Sequence, residues 1–152
     1  PAAIRAAVWL SVPGTGPEGV DAWAALEEAA KEGDKAGVRL ARAIQVKAAH
    51  SLGETAVLER SIREFGVAIN GTRSNPAWAT IDRLAFEQVR AVSDVLWTQS
   101  VGHRTPFGQV GTLPETGGPD DAEDEADDDL LDGLGVLRAL ELNKRIDTIS
   151  KG

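Results

Sequence analysis

Apolar side chains recur every three or four residues over two long stretches of this chain, and that spacing restricts what it can fold into. Val38, Ala41, Ile44, Ala48 and Leu52 form one stripe, and Leu58, Ile62 and Phe65 carry the spacing on to Gly66. A second stripe, Trp78, Ile81, Ala85, Val89, Val92 and Leu96, is widened by Leu84, Val95 and Trp97. A period near 3.6 puts each set on one face of a helix and does not fit the two-residue alternation of a half-buried strand. Asp34 is placed to cap the first helix, Gly53 either breaks it or only weakens it, and Gly66 is placed to end it. Asn75 caps the second helix ahead of Pro76, where a proline forfeits no hydrogen bond, and the helix is expected to run to about Ser100.

The segments around this pair follow from local chemistry. Val67-Ala68-Ile69-Asn70-Gly71 is β-prone and ends in a turn pair, which predicts a small extended connector. Ala22 to Lys31 is rich in Ala, Leu and Glu, follows the capping residue Asp21 and stops at Gly33, which predicts a short N-terminal helix. Pro13, Gly14, Gly16 and Pro17 break the chain before it and leave residues 1–20 as an N-terminal arm. Residues 102–129 are Gly/Pro-rich and then acidic, a composition that repels itself and reads as a flexible linker, and residues 130–152 regain helical spacing. The expected fold class is all-α: an antiparallel helical hairpin core in a domain spanning 21–101, with a short N-terminal helix, a small extended connector, an acidic flexible linker and a C-terminal amphipathic helix.

Several chemistries are excluded by what the 152 residues lack. There is no Cys, so disulfides, thiolate zinc sites and cysteine nucleophiles are absent. The two His, His50 and His103, stand too far apart in sequence to form a local ligand pair, and no Ser/His/Asp grouping or phosphate-cradling glycine pattern accompanies them. We expect no enzyme, no metal and no cofactor. Leu113-Pro114-Glu115-Thr116-Gly117 spells a cell-wall sorting signal, but an acidic run follows it where such a signal needs an apolar span. No apolar run approaches the roughly 18 residues that cross a bilayer, and no secretory pattern opens the chain, so the expected location is the cytoplasm, away from membranes.

The net charge of -8 hides an uneven distribution. Residues 35–73 carry Lys35, Arg39, Arg42, Lys47, Arg60, Arg63 and Arg73 against Glu54, Glu59 and Glu64, a local excess of +4. A single such patch is weak, but copies arrayed in a ring sum their fields and can hold a phosphate backbone. These seven residues are therefore candidates for contact with double-stranded DNA. The apolar stripes are wider than two helices can cover, which makes Ile44, Leu52, Leu58, Ile62, Phe65, Trp78, Ile81, Val89, Val92 and Leu96 candidates for an interface between copies. Leu134, Leu137, Leu140 and Ile146 on the terminal helix, behind an acidic tether, are candidates for docking a partner protein.

The run Glu64-Phe65-Gly66-Val67, then Ser74-Asn75-Pro76-Ala77, a long amphipathic helix and Val101-Gly102-His103-Arg104-Thr105-Pro106 resembles the core of a family of phage terminase small subunits. In that family a glycine ends the long helix, Asn-Pro-Ala opens the next, and a Gly-Leu-Thr-Pro-like element follows. Here Gly102, Thr105 and Pro106 match that element, while His103-Arg104 replaces its single apolar residue. The resemblance covers residues 34–107 and implies a homo-oligomeric ring in the host cytoplasm that recognises viral DNA and recruits or regulates the large terminase subunit, which holds the ATPase and nuclease. The phosphate contacts rest on charge and spacing, with no family residue mapped onto them. The alternative is a helical adaptor or scaffold that binds protein and no DNA.

Overall fold

The computed structural model describes residues 2–115. Five α-helices follow one another: α1 (Ala2–Ser11), α2 (Ala22–Lys35), α3 (Leu40–Leu52), α4 (Thr55–Gly71) and α5 (Ala79–Val101), with a single 3-10 turn at Pro76–Trp78 leading into α5. Among the described residues there is no strand, only one bridge between Val110 and Thr112. The all-α expectation holds. None of these helices is long and apolar enough to cross a membrane.

Helix α3 is the hub, packing against α1, α2, α4 and α5. Its small residues Ala43 and Ala49 let neighbours approach closely, and with Val46 they meet Leu58, Ile62 and Phe65 of α4 and Ala85, Val89 and Val92 of α5 in one buried core. The Phe65 and Phe86 rings meet at 6.2 Å between centroids, tilted by 42°. The chain reverses between α3 and α4 at Gly53, whose φ of 73° is the left-handed conformation a glycine cap adopts at little cost. Of the two readings of Gly53 the break is the one observed: the stretch from Asp34 to Gly66 holds two helices, α3 and α4, and α5 packs on the first of them.

Other boundaries depart from the sequence reading for physical reasons. Residues 2–11 form a helix packed on α2 and α3 rather than a free arm, because Ala6 is fully buried there. Helix α4 runs through Val67–Gly71 instead of becoming extended, since burial of Ala68 and packing of Ile69 on the core outweigh a weak β preference. Asp34 does not cap α3 but lies inside α2, and the turn between α2 and α3 belongs to Gly37 at φ +72°. The amide of Arg39 at the start of α3 donates instead to the Asp82 carboxylate of α5, at 2.9 Å. Asp21 and Asn75 cap as expected, accepting from Trp23 at 2.9 Å and from Ala77 at 3.0 Å.

Residues 102–115, expected as the start of a linker, fold onto the helices. Val110 and Leu113 pack on the core, and Gly111 is buried with its backbone against Gly66 of α4. A Cβ built on Gly66 would reach the Gly111 backbone at 3.0 Å, and one built on Gly111 would collide with the Gly66 Cα. Gly66 is thus a contact surface in mid-helix, not the helix end. The expected acidic linker beyond residue 115, and the helix of residues 130–152 with Leu134, Leu137, Leu140 and Ile146, lie outside the described residues.

Two glycines of this segment, Gly108 and Gly111, separate packing from backbone strain. Gly111 and Gly108 both have positive φ, 100° and 78°, but a Cβ on Gly108 meets only open space. Gly108→Ala should cost about 1 kcal/mol for the left-handed backbone, and Gly111→Ala about 2 to 4 kcal/mol because a collision is added. Equal losses in urea denaturation would show that the Gly66–Gly111 contact does not hold the segment down.

Candidate nucleic-acid interface

The seven basic residues divide into two buried and five exposed. Arg39 and Arg42, each 2% exposed, point into the protein. Arg39 joins three elements to the start of α3: its Nη1 pairs with Asp82 and donates to Ser74 Oγ at 2.9 Å, and its Nη2 donates to the carbonyls of Thr72 and of Ala68, the latter at 2.9 Å. Ser74 in turn donates to Asp82.

Arg42 is held by three carboxylates. Its Nη1 lies 2.9 Å from Glu27 and 2.5 Å from Glu64, and its Nε and Nη2 lie 3.0 and 2.8 Å from Asp34 Oδ2. Gln45 bridges the group, accepting from Arg42 at 2.7 Å and donating to Glu27 at 2.6 Å. A planar five-donor fork suits this divergent set of acceptors, whereas an ammonium could not span it. Neither guanidinium is free to meet a phosphate. The expectation that Arg39 and Arg42 contact DNA is therefore corrected: each helix face that looks basic in sequence is turned inward by carboxylates more than seven residues away, a pairing that local spacing does not reveal.

Lys35, Lys47, Arg60, Arg63 and Arg73 are all exposed. The loop after α2 and the connector after α4 meet where the Asn75 amide donates to the Gly37 carbonyl at 3.0 Å, and a side chain on Gly37 would strike the Arg73 carbonyl. That junction brings Lys35 and Arg73 to one corner of the molecule. Lys47 stands over the seam of α3 and α5, donating to Gln88 at 2.7 Å. Arg60 and Arg63 stand on the outer face of α4, with Arg63 3.6 Å from Glu59. Arg83, Arg90 and Arg104, which lie outside the basic stretch 35–73, are exposed as well. Arg83 joins Ser74, Asp82 and Glu87 around a cavity of about 440 Å³ next to the same corner, floored by Phe65 and Phe86.

The expected oligomer residues divide too. Leu58, Ile62, Phe65, Val89 and Val92 are enclosed by their own chain, because α3 folds back between α4 and α5 and covers stripes that two helices alone would leave open. Their assignment to an interface is corrected on that ground. Ile44, Ile81 and Leu96 are half-buried, and Leu52 and Trp78 remain exposed.

Titration distinguishes the carboxylates around Arg42. Burial raises the Asp34 carboxyl above its ordinary value, more than Arg42 lowers it. Burial also pushes Glu27 upward, but hydrogen bonds from Gln45, Lys31 and Arg42 and the Arg42 charge together leave it below its ordinary value. An acid with a raised folded value costs stability once ionised, and one with a lowered value adds stability that disappears as pH falls through that lowered value. Glu27→Gln should therefore cost about 1 to 3 kcal/mol at neutral pH, more than Asp34→Asn. The Glu27→Gln deficit should close below pH 4.5, whereas equal costs for the two variants would contradict the asymmetry. Arg42→Met, which strands three carboxylates, should cost about 3 to 5 kcal/mol at neutral pH by the same denaturation measurement.

No protein-family model, curated protein or solved structure matches this chain.

Proposed function

We propose that the chain is a DNA-recognition subunit of a viral packaging machine, a homo-oligomer of the terminase small-subunit kind that positions DNA for a separate large subunit carrying the ATPase and nuclease. The single observation that carries the reading is the fate of the basic middle. After Arg39 and Arg42 are withdrawn into ion pairs, residues 35–73 still present five exposed cations, and of their three acids Glu64 is engaged with Arg42. Five exposed cations that survive burial of the two most enclosed members of the set, on a chain whose total charge is -8, are suited to phosphate when repeated over several copies. The order of residues from Glu64 to Pro106 supports the same reading through its resemblance to that family. In this reading the chain itself performs no catalysis.

The corner built by Lys35 and Arg73 makes the reading testable. Lys35→Glu with Arg73→Glu should lower affinity for double-stranded DNA at least tenfold and flatten the dependence of log affinity on log salt by about 0.9 for each lost phosphate contact. Arg39→Lys should act through stability, with no change in the salt slope of the folded protein. Wild-type protein that fails to retain DNA even at low salt would reject this function and leave the protein-binding adaptor in its place.

A further inference from the structure

A fully exposed phenyl ring stands beside the end of α5. Phe107 makes no use of the core, yet its loop is fastened on both sides. Before it, the Thr105 amide donates to Asp94 Oδ1 at 3.1 Å and the Thr105 hydroxyl to Ser93 Oγ at 2.9 Å. After it, Val110 packs on the core and Gly111 is pressed on Gly66. The ring is thus presented to solvent by a braced loop, and ordering it on contact loses little conformational freedom. Arg104 is exposed three residues earlier and, like Phe107, lines the hollow between this loop and α5.

A complementary surface lies on other elements of the same chain. Between α1, α2 and the start of α3 runs an apolar groove of about 390 Å³, lined by Ile4, Val38, Leu40, Ala41 and Ile44 among others, with Glu32 as its one charged residue. The apolar surface continues past the rim. Helix α1 has Arg5 as its only charged residue, and its outward Ile4 and Val8 are 58% and 47% exposed. A helix that is apolar all round is a helix that expects cover on both sides, and α2 and α3 cover only one.

We propose that Phe107 of one copy inserts into the α1–α2–α3 groove of the next copy, with Arg104 meeting Glu32 across the rim. The occupant follows from three matches: an aromatic side chain that buries about 150 to 250 Å² with an apolar groove, a cation with the groove's sole anion, and a braced protrusion with a concave seat. Knob and groove share no residue, so the contact is head-to-tail and propagates from copy to copy, closing into a ring where the rotation allows it. The inference supplies the contact for the assembly part of the function proposed above, and the half-buried Ile44 keeps, in this groove, the interface role that its enclosed neighbours lose.

Light scattering on the full chain tests it. The wild type should exceed the 16.0 kDa of one copy. Phe107→Ser should fall to one copy, and so should Ile4→Arg with Glu32→Arg, which blocks the groove. Both variants alter exposed side chains, and unchanged helical circular dichroism confirms that they fold. Mixed together, the knobless variant still offers a groove and the blocked variant still offers a knob, so they should form a one-to-one pair that cannot grow. Glu32→Arg alone should weaken assembly at least tenfold, and adding Arg104→Glu should restore it. A monomeric wild type, an assembly whose mass Phe107→Ser leaves intact, or a mixture that stays monomeric would each overturn the knob-and-groove contact. DNA retention by the wild type is scored separately, so failure of this contact and failure of the DNA reading remain distinct.

Discussion

Burying a guanidinium in a small helical protein is tolerable only if its donors are satisfied by groups that the fold itself delivers. Arg39 and Arg42 impose that condition on nearly every element. Arg39 needs the last turn of α4, the connector at Ser74 and the first turn of α5 to converge on the start of α3. Arg42, one turn further on, needs Glu27 and Asp34 from α2 and Glu64 from α4. Hydrophobic packing alone constrains α3 less tightly, because its core face is built of the small side chains Ala43, Val46 and Ala49. The two ion-pair sets accept only the register in which both Nη groups of Arg39 and all three nitrogens of Arg42 meet their acceptors, with Arg39 Nε alone left unpartnered. Breaking any one partnership leaves charge stranded in a low-dielectric interior, so the sets act as position locks more than as sources of net stability.

Much of the helical content is legible from spacing, because apolar periodicity and side-chain caps are local signals. Asp21 and Asn75 cap where their position says they should, and α5 follows Pro76 closely. What local signals do not carry is which face of a helix will be wanted by distant carboxylates. Arg39 and Arg42 sit off the apolar stripe and look solvent-facing, yet Asp82 lies 43 residues from Arg39 and Glu64 lies 22 from Arg42. Gly53 was ambiguous for a similar reason: a glycine inside a helical pattern weakens or ends it depending on whether a second surface is available for the chain to fold back against. Here α3 and α4 supply that surface to each other. Once the chain turns there, the apolar surface that two helices alone would leave for a neighbouring copy is largely absorbed at Leu58, Ile62, Phe65, Val89 and Val92.

The same folding back relocates the unsatisfied surface. A three-helix core centred on α3 leaves the far side of α1 and the tip after α5 among the places where apolar groups meet water, beside scattered residues such as Leu52, Val67, Trp78 and Leu84. Neither was marked by periodicity: α1 precedes a run of glycines and prolines that suggested an arm, and Phe107 sits in a segment whose composition suggested a tether. The deciding feature is the pair Gly66 and Gly111, which permits two backbones to touch without intervening side chains. That contact turns a Gly-rich stretch into part of the body of the protein. It also fixes Phe107 at a defined height above α5, so that the ring is held out by the fold itself. A side chain on Gly111 would collide with the Gly66 backbone and press this end of the segment away from α4, leaving only the Thr105 bonds to Asp94 and Ser93 to orient the ring.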